Sequence, residues 1–295
     1  MSDPLYIGIR FALYANLMLL FGLPLFPIYS PDEREKFPNR HRVIGSLAIL
    51  GLALSALSIA AMTASMAGVS LLQVDRTSIV MMVSDTPMGR TWAVRTAALT
   101  ALAISPLIKA PAAPVAMLGA VALGSLAWTG HGSAGEGNAG IIQLVGDLAH
   151  LLAAGAWLGA LVGLGYMVWA AHDAAATHRA LARFASVGTL IIAVIIGSGL
   201  VNGFYVVGWS NLGTLPRTIY GQLLLLKIVL FCAMLALAAL NRFRLTPALR
   251  SVIGMDGTVL AWRELRLSLI FELSLAAAIL GLVAWLGTLE PPMSM

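Results

Sequence analysis

The apolar residues of this chain come in blocks, and each block is about long enough to cross a lipid bilayer. A transmembrane helix takes about 20 residues. Eight stretches meet or approach that length: 4–28, 42–67, 90–109, 114–130, 141–170, 181–207, 220–240 and 263–288. The predicted fold is therefore all-α, a polytopic transmembrane bundle of about eight helices. Composition leaves no soluble alternative. Hydrophobic residues make up 59% of the 295 and charged residues only 11%, against roughly 25% charged in a soluble domain. Mean hydropathy is +0.90. No connection is long enough to hold a soluble domain, so a single integral membrane domain over 1–295 is expected. The first block carries Arg10 and lacks a basic flank, so it reads as a retained helix rather than a cleaved signal.

Sidedness follows from the basic residues. Arg34, Lys36, Arg40, Arg42, Lys109, Arg179, Arg183, Arg242, Arg244, Arg250 and Arg263 lie in or beside the odd-numbered connections. Only Arg76, Arg90 and Arg217 lie in the even ones. That asymmetry puts the odd connections in the cytoplasm and both termini outside, in the periplasm of a bacterial inner membrane. It also accounts for the net charge of +5 without a nucleic-acid partner.

The single cysteine, Cys232, excludes an intramolecular disulfide and a cysteine-rich metal centre. No phosphate-binding loop, phosphorylated-aspartate motif or catalytic constellation is visible, so an enzyme is not expected.

Ionisable groups inside spans are costly and by default mark function. Here they are Arg10, Arg95, Asp147, His150, Lys227 and Glu272. They suit either buried ion pairs that fix helix register or a pathway. His150 lies about nine residues into the fifth span, roughly 13 Å below its outer end at 1.5 Å per residue. Lys227 and Asn202 approach the same depth from the seventh and sixth spans.

The fifth span says most. Asp147 and His150 are three residues apart and so share a helix face, with Trp157 nearly in line. A carboxylate beside an imidazole is the usual arrangement around a metal-ligating histidine. Gly155, Gly159 and Gly163 form a stripe on the opposite side, suited to close helix packing. His131, in the glycine-rich hairpin before this span, approaches from the outer face. Met62 and Met66 sit at the outer end of the second span, with Met81, Met82 and Met88 in the external connection beyond it. Thioethers beside imidazole favour Cu(I), although methionine is also an ordinary filler of apolar space. Tyr220, Lys227, Met234 and Asn241 recur every seven residues along the seventh span. They would line a path or contact a neighbouring helix.

Several stretches together resemble the copper resistance protein D (CopD) family: Thr91-Trp92 with Arg95, Gly130-His131-Gly132, Gly146-Asp147-Leu148-Ala149-His150 with Trp157-Leu158-Gly159, Tyr220-Gly221 with Lys227, Asn241-Arg242-Phe243, and Leu265-Arg266 with Glu272. The resemblance is strongest from the third span onward, and the first span carries nothing diagnostic. It implies an eight-span inner-membrane protein of copper handling, working with a separate periplasmic copper-binding partner of the CopC type. The leading expectation is a copper permease. His131, Met62 and Met66 would receive copper and pass it to His150, oriented by Asp147. Arg95, Lys227, Glu272, Asn202 and Asn241 would act as pathway or ion-pair groups. Two alternatives stand beside it: a haem-binding redox protein with axial histidines, and a non-transporting anchor for a copper chaperone.

Overall fold

The computed structural model describes residues 3–30, 37, 39–129, 137–171, 173–208, 211–213, 215–251 and 258–290. Every regular element among them is helical. They are α1 (Pro4–Tyr29), α2 (Arg40–Ala67), α3 (Arg76–Asp85), α4 (Pro87–Ile104), α5 (Ala112–Gly124), α6 (Gly137–Tyr166), α7 (Ala174–Val207), α8 (Ile219–Leu240), α9 (Thr246–Ser251) and α10 (Thr258–Leu286). Each of the eight expected spans is a helix. Six stretches are long and apolar enough to cross a membrane: α1, α2, α6 through Trp169, α7, α8 through Leu249, and α10 from Trp262. Ala112–Trp128 is apolar but shorter.

The boundaries differ from expectation where local chemistry intervenes. The third span was placed at 90–109 but runs from Pro87 to Ile104. Thr86 caps its start by accepting from the Gly89 amide at 3.1 Å, and Pro87 occupies a first-turn position that needs no amide donor. Ser105 closes the helix, its hydroxyl donating to the Leu102 carbonyl at 2.7 Å. Pro106 then follows, and Lys109 takes a left-handed φ of 48°. The connection read as external loop contains α3. Asp75 caps it by accepting from the Ser78 amide at 3.2 Å, and that hydrogen bonding holds the Asp75 carboxyl below its ordinary pKa. Past α5 the chain tightens to a 3-10 turn over Ser125–Thr129, and α6, α7 and α10 each begin earlier than expected.

The bundle is organised on α1, which packs against α2, α5, α6 and α10. Its closest approach is to α6. A Cβ on Gly22 would fall 2.2 Å from the Gly155 carbonyl oxygen, and one on Gly163 would fall 3.0 Å from the Phe26 ring. The glycine stripe of α6 thus lets two backbones touch, as small-residue stripes do in membranes. Contact partners advance together along both chains, so α1 and α6 run parallel.

Successive connections alternate between the two ends of the bundle. Asp3, Gly68 and Glu290 line one cavity of about 560 Å³, so the described ends of the chain and the α2–α3 connection share one end. Asn39, Arg40, His41, Ser105, Ala110 and Tyr166 line another cavity, of about 310 Å³, which gathers the first, third and fifth connections at the opposite end.

Candidate functional site

Four helices, α6, α7, α8 and α10, line an open cavity of about 230 Å³. From α6 it receives Asp147 and His150, from α7 Asn202, and from α8 Tyr220 and Lys227; Arg10 and Tyr14 of α1 close its remaining side. The two α6 groups point the same way because they are three residues apart. Tyr220 and Lys227 share a face of α8 through their seven-residue spacing. The third member of that stripe, Met234, is buried in the apolar core beyond the cavity.

The histidine's protonation can be worked out from its partner. His150 Nδ1 lies 3.0 Å from the Ser198 hydroxyl. Ser198 has one proton to donate, and its Oγ lies 2.5 Å from the Val194 carbonyl oxygen, which can only accept. Towards His150 the hydroxyl is therefore an acceptor, and Nδ1 carries the hydrogen. Neutral imidazole then keeps its lone pair on Nε2, to which no described residue donates a hydrogen bond. This is the tautomer that binds metal, set by the hydrogen bond that the other nitrogen makes. Asp147 and Lys227 line the same cavity and attract one another electrostatically.

The remaining in-membrane groups lie elsewhere. Glu272, 1% exposed, accepts a hydrogen bond from the Asn241 amide nitrogen. The two line a separate cavity of about 290 Å³ towards the opposite end, together with Trp157, Phe184 and Arg242. Trp157 packs edge-on against Phe184 at 5.4 Å, so it continues the His150 face of α6 into this second cavity. Arg242 donates to the Ala185 carbonyl at 3.1 Å and to the Thr189 hydroxyl at 2.6 Å. Arg95 donates through Nε to the Ser55 hydroxyl at 2.9 Å. Met62 lies near Arg95, where both line a small pocket with Met88, Trp92 and Arg10. Met66 is 70% exposed on the outside of α2. Met62 is thus brought towards Met88 rather than grouped with Met66. His131 lies outside the described residues.

Among the described residues no three His, Cys, Asp or Glu side chains gather into a metal cluster. The cavity offers one imidazole and one carboxylate. Sequence reasoning singled out Arg10 but missed Ser198 and Tyr14. Ser198 does have a signal, since Gly197-Ser198-Gly199 interrupts an otherwise large-residue apolar run.

Apolar helices of this length around charged interior side chains define a multi-pass α-helical membrane protein. The chain belongs to the copper resistance protein D family. The profile for the N-terminal domain of copper resistance protein D-like proteins matches residues 1–141, and that for copper resistance protein D matches 178–286. The first span, where the residues alone carried no resemblance, is thereby included. Copper resistance protein D of Pseudomonas syringae pv. tomato is 40% identical over 308 residues, 99% of each chain. Inner membrane protein YebZ of Escherichia coli K12 is 26% identical over 97% of this chain and 98% of its own. Copper transport protein CutJ of Bacillus subtilis is 32% identical over 136 residues, 45% of this chain and 24% of that one. No solved structure matches.

Proposed function

We propose that this protein carries copper across a bacterial inner membrane, from the periplasmic face towards the cytoplasm, with the Asp147–His150 cavity as the transit site. The observation that carries the reading is the hydrogen bond that holds His150 with its Nε2 lone pair unprotonated in a cavity between membrane helices. Asp147 supplies a carboxylate beside the imidazole, and a neutral imidazole is a ligand for copper in either oxidation state. Lys227 and Arg10, facing the same cavity, make the site selective for an ion that brings its own affinity for nitrogen. A hard cation held by charge alone would be repelled.

In this reading both termini are periplasmic, and the connections rich in arginine lie in the cytoplasm. Copper is delivered by a separate periplasmic protein of the CopC type, docking at the end where α2 leads into α3. After His150 the ion moves along the shared face of α6, past the layer containing Met234, to the cavity of Glu272 and Asn241.

The test is cellular copper accumulation with His150→Ala compared with wild type at equal membrane expression. A marked fall in accumulation supports transport through this cavity. Unchanged accumulation, with the variant folded and inserted, would remove the site from the pathway.

A further inference from the structure

The helices follow the same order in the two halves of the chain: α1, α2, α4 and α5 pack as a four-helix unit, and α6, α7, α8 and α10 form a looser one in which α7 and α8 are not close neighbours. The first helices of the two units, α1 and α6, lie parallel and in close contact. Such a relation places the axis between the units along the membrane normal, as in parallel internal repeats. Local detail repeats as well. Thr86 and Thr218 cap α4 and α8 by accepting from Gly89 and Gly221, both at 3.1 Å. A Cβ on either glycine would fall 2.0 Å from the preceding turn, at the Val83 or Leu215 carbonyl oxygen.

Each unit has a pocket in the same place. In the first unit Arg10, Leu13 and Tyr14 come from α1, Ser58 and Met62 from α2, and Met88, Trp92 and Arg95 from α4. In the second, Asp147, His150 and Leu151 come from α6, Asn202 and Val206 from α7, and Tyr220, Leu224 and Lys227 from α8. The spacing within each helix is identical. The membrane-embedded cation of the second unit, Lys227, therefore has Arg95 as its counterpart, and the carboxylate Asp147 has Arg10.

That exchange leaves the first pocket with two guanidinium groups and no built-in anion. Arg95 is 3% exposed and donates a hydrogen bond to a neutral hydroxyl, that of Ser55. Arg10 has its Nε buried without a partner and lies 5.7 Å from the ring centres of Tyr6 and Tyr14. Among the described residues no carboxylate reaches ion-pairing distance of either. Arg95 is buried and Arg10 half-buried, and a buried charge is strongly unfavourable unless paired. The pocket's volume is about 20 Å³, room for roughly one water-sized occupant.

We propose that a small monovalent anion of chloride's size binds between Arg10 and Arg95, supplying the negative charge that Asp147 supplies in the second unit. Sulfate, bulkier and doubly charged, is the control for a general salt effect. The two guanidinium groups supply charge, and Tyr6 and Tyr14 line the same pocket. Because Arg10 and Tyr14 also border the His150 cavity, the anion offsets positive charge next to the transit site. The anion site does not depend on copper being the cargo.

The experiment is a thermal melt of the detergent-purified protein at constant ionic strength, with sodium gluconate replaced stepwise by sodium chloride. An anion that binds only the folded state raises the melting temperature in a saturating way. The expected result is that saturating rise in wild type, reproduced by bromide, absent with sulfate, and lost in Arg95→Gln. No difference between chloride and gluconate overturns the proposal, as does an equal rise with sulfate or in Arg95→Gln. If Arg95→Gln does not fold, anomalous diffraction from wild-type crystals grown in bromide decides instead: a peak between Arg10 and Arg95 supports the site, and none there overturns it.

Discussion

Gly22 of α1 and Gly159 of α6 meet backbone to backbone. A Cβ on Gly159 would lie 2.2 Å from the Gly22 carbonyl carbon, and one on Gly22 would lie 2.8 Å from the Gly159 Cα. Both neighbours are main chain, which cannot rotate away as a side chain would. This contact joins the two halves of the bundle and sets how closely Arg10 and Tyr14 of α1 border the cavity that α6 opens with Asp147 and His150.

Gly159→Ala therefore separates the halves. Overpacking of this kind costs about 1–3 kcal/mol, and Gly159→Leu more. A melt in detergent checks it: the alanine variant melts below wild type and the leucine variant lower still. Gly197→Ala on α7, where an added Cβ meets nothing within 4 Å, leaves the melting temperature near wild type.

Ser198→Ala tests the tautomer assignment. Removing the acceptor at Nδ1 releases the imidazole to choose its proton and orientation, while His150 itself stays. Losses of this kind weaken metal affinity about 10- to 100-fold. A competitive Cu(I) titration of purified protein should give that drop for Ser198→Ala and a larger one for His150→Ala. Equal affinity in Ser198→Ala and wild type would contradict the role given to the Ser198 hydroxyl.

Asp147 and Lys227 face one cavity, so their effects on copper affinity should be coupled. Asp147→Asn removes a negative charge and weakens binding, whereas Lys227→Gln removes a positive one and strengthens it. The double variant falls between them. Residues around a shared site commonly deviate from additivity by 0.5–3 kcal/mol, roughly. A double-mutant cycle built on the same titration measures the coupling, and strict additivity would show that the two groups act apart.

Glu272 and Asn241 form a buried hydrogen-bonded pair at the far cavity. Glu272→Leu leaves the Asn241 amide without its acceptor and costs about 1–3 kcal/mol. Glu272→Gln can still accept through its carbonyl and melts close to wild type. Thermal melts of the two variants separate hydrogen bonding from charge at this position.

The orientation assigned to the chain has a direct readout. Alkaline phosphatase fused after Met295 is active in the periplasmic arrangement, and a fluorescent protein fused there that folds only in the cytoplasm stays dark. The opposite pattern would invert every connection and reverse the direction of the proposed path.

The sequence by itself determined that this chain is a helical membrane protein, because block length and apolar content are properties of each segment alone. It also determined which residues share a helix face, since spacing sets angle: Asp147 with His150, Tyr220 with Lys227, and Gly155 with Gly159 and Gly163. The family could be read from the residue patterns Asp147-x-x-His150 and Asn241-Arg242-Phe243, which carry chemistry without reference to distant contacts. Helix ends were less legible. Thr86 and Ser105 start and stop α4 through hydrogen bonds whose partners are local but whose choice over a longer helix is made by packing. Only the tertiary structure decided which helices are neighbours. Depth along a span is proportional to residue number, but the direction in which a face points depends on helix order in space. Depth alone could not distinguish Lys227, which meets His150 across a cavity, from Glu272, which turns to Asn241 instead. It could not find Ser198, whose hydroxyl matters only because α7 brings it 3.0 Å from His150. Nor could it place Arg10 opposite Arg95, since that meeting requires α1 and α4 to fold into one unit, with a pocket between them that no single segment encodes.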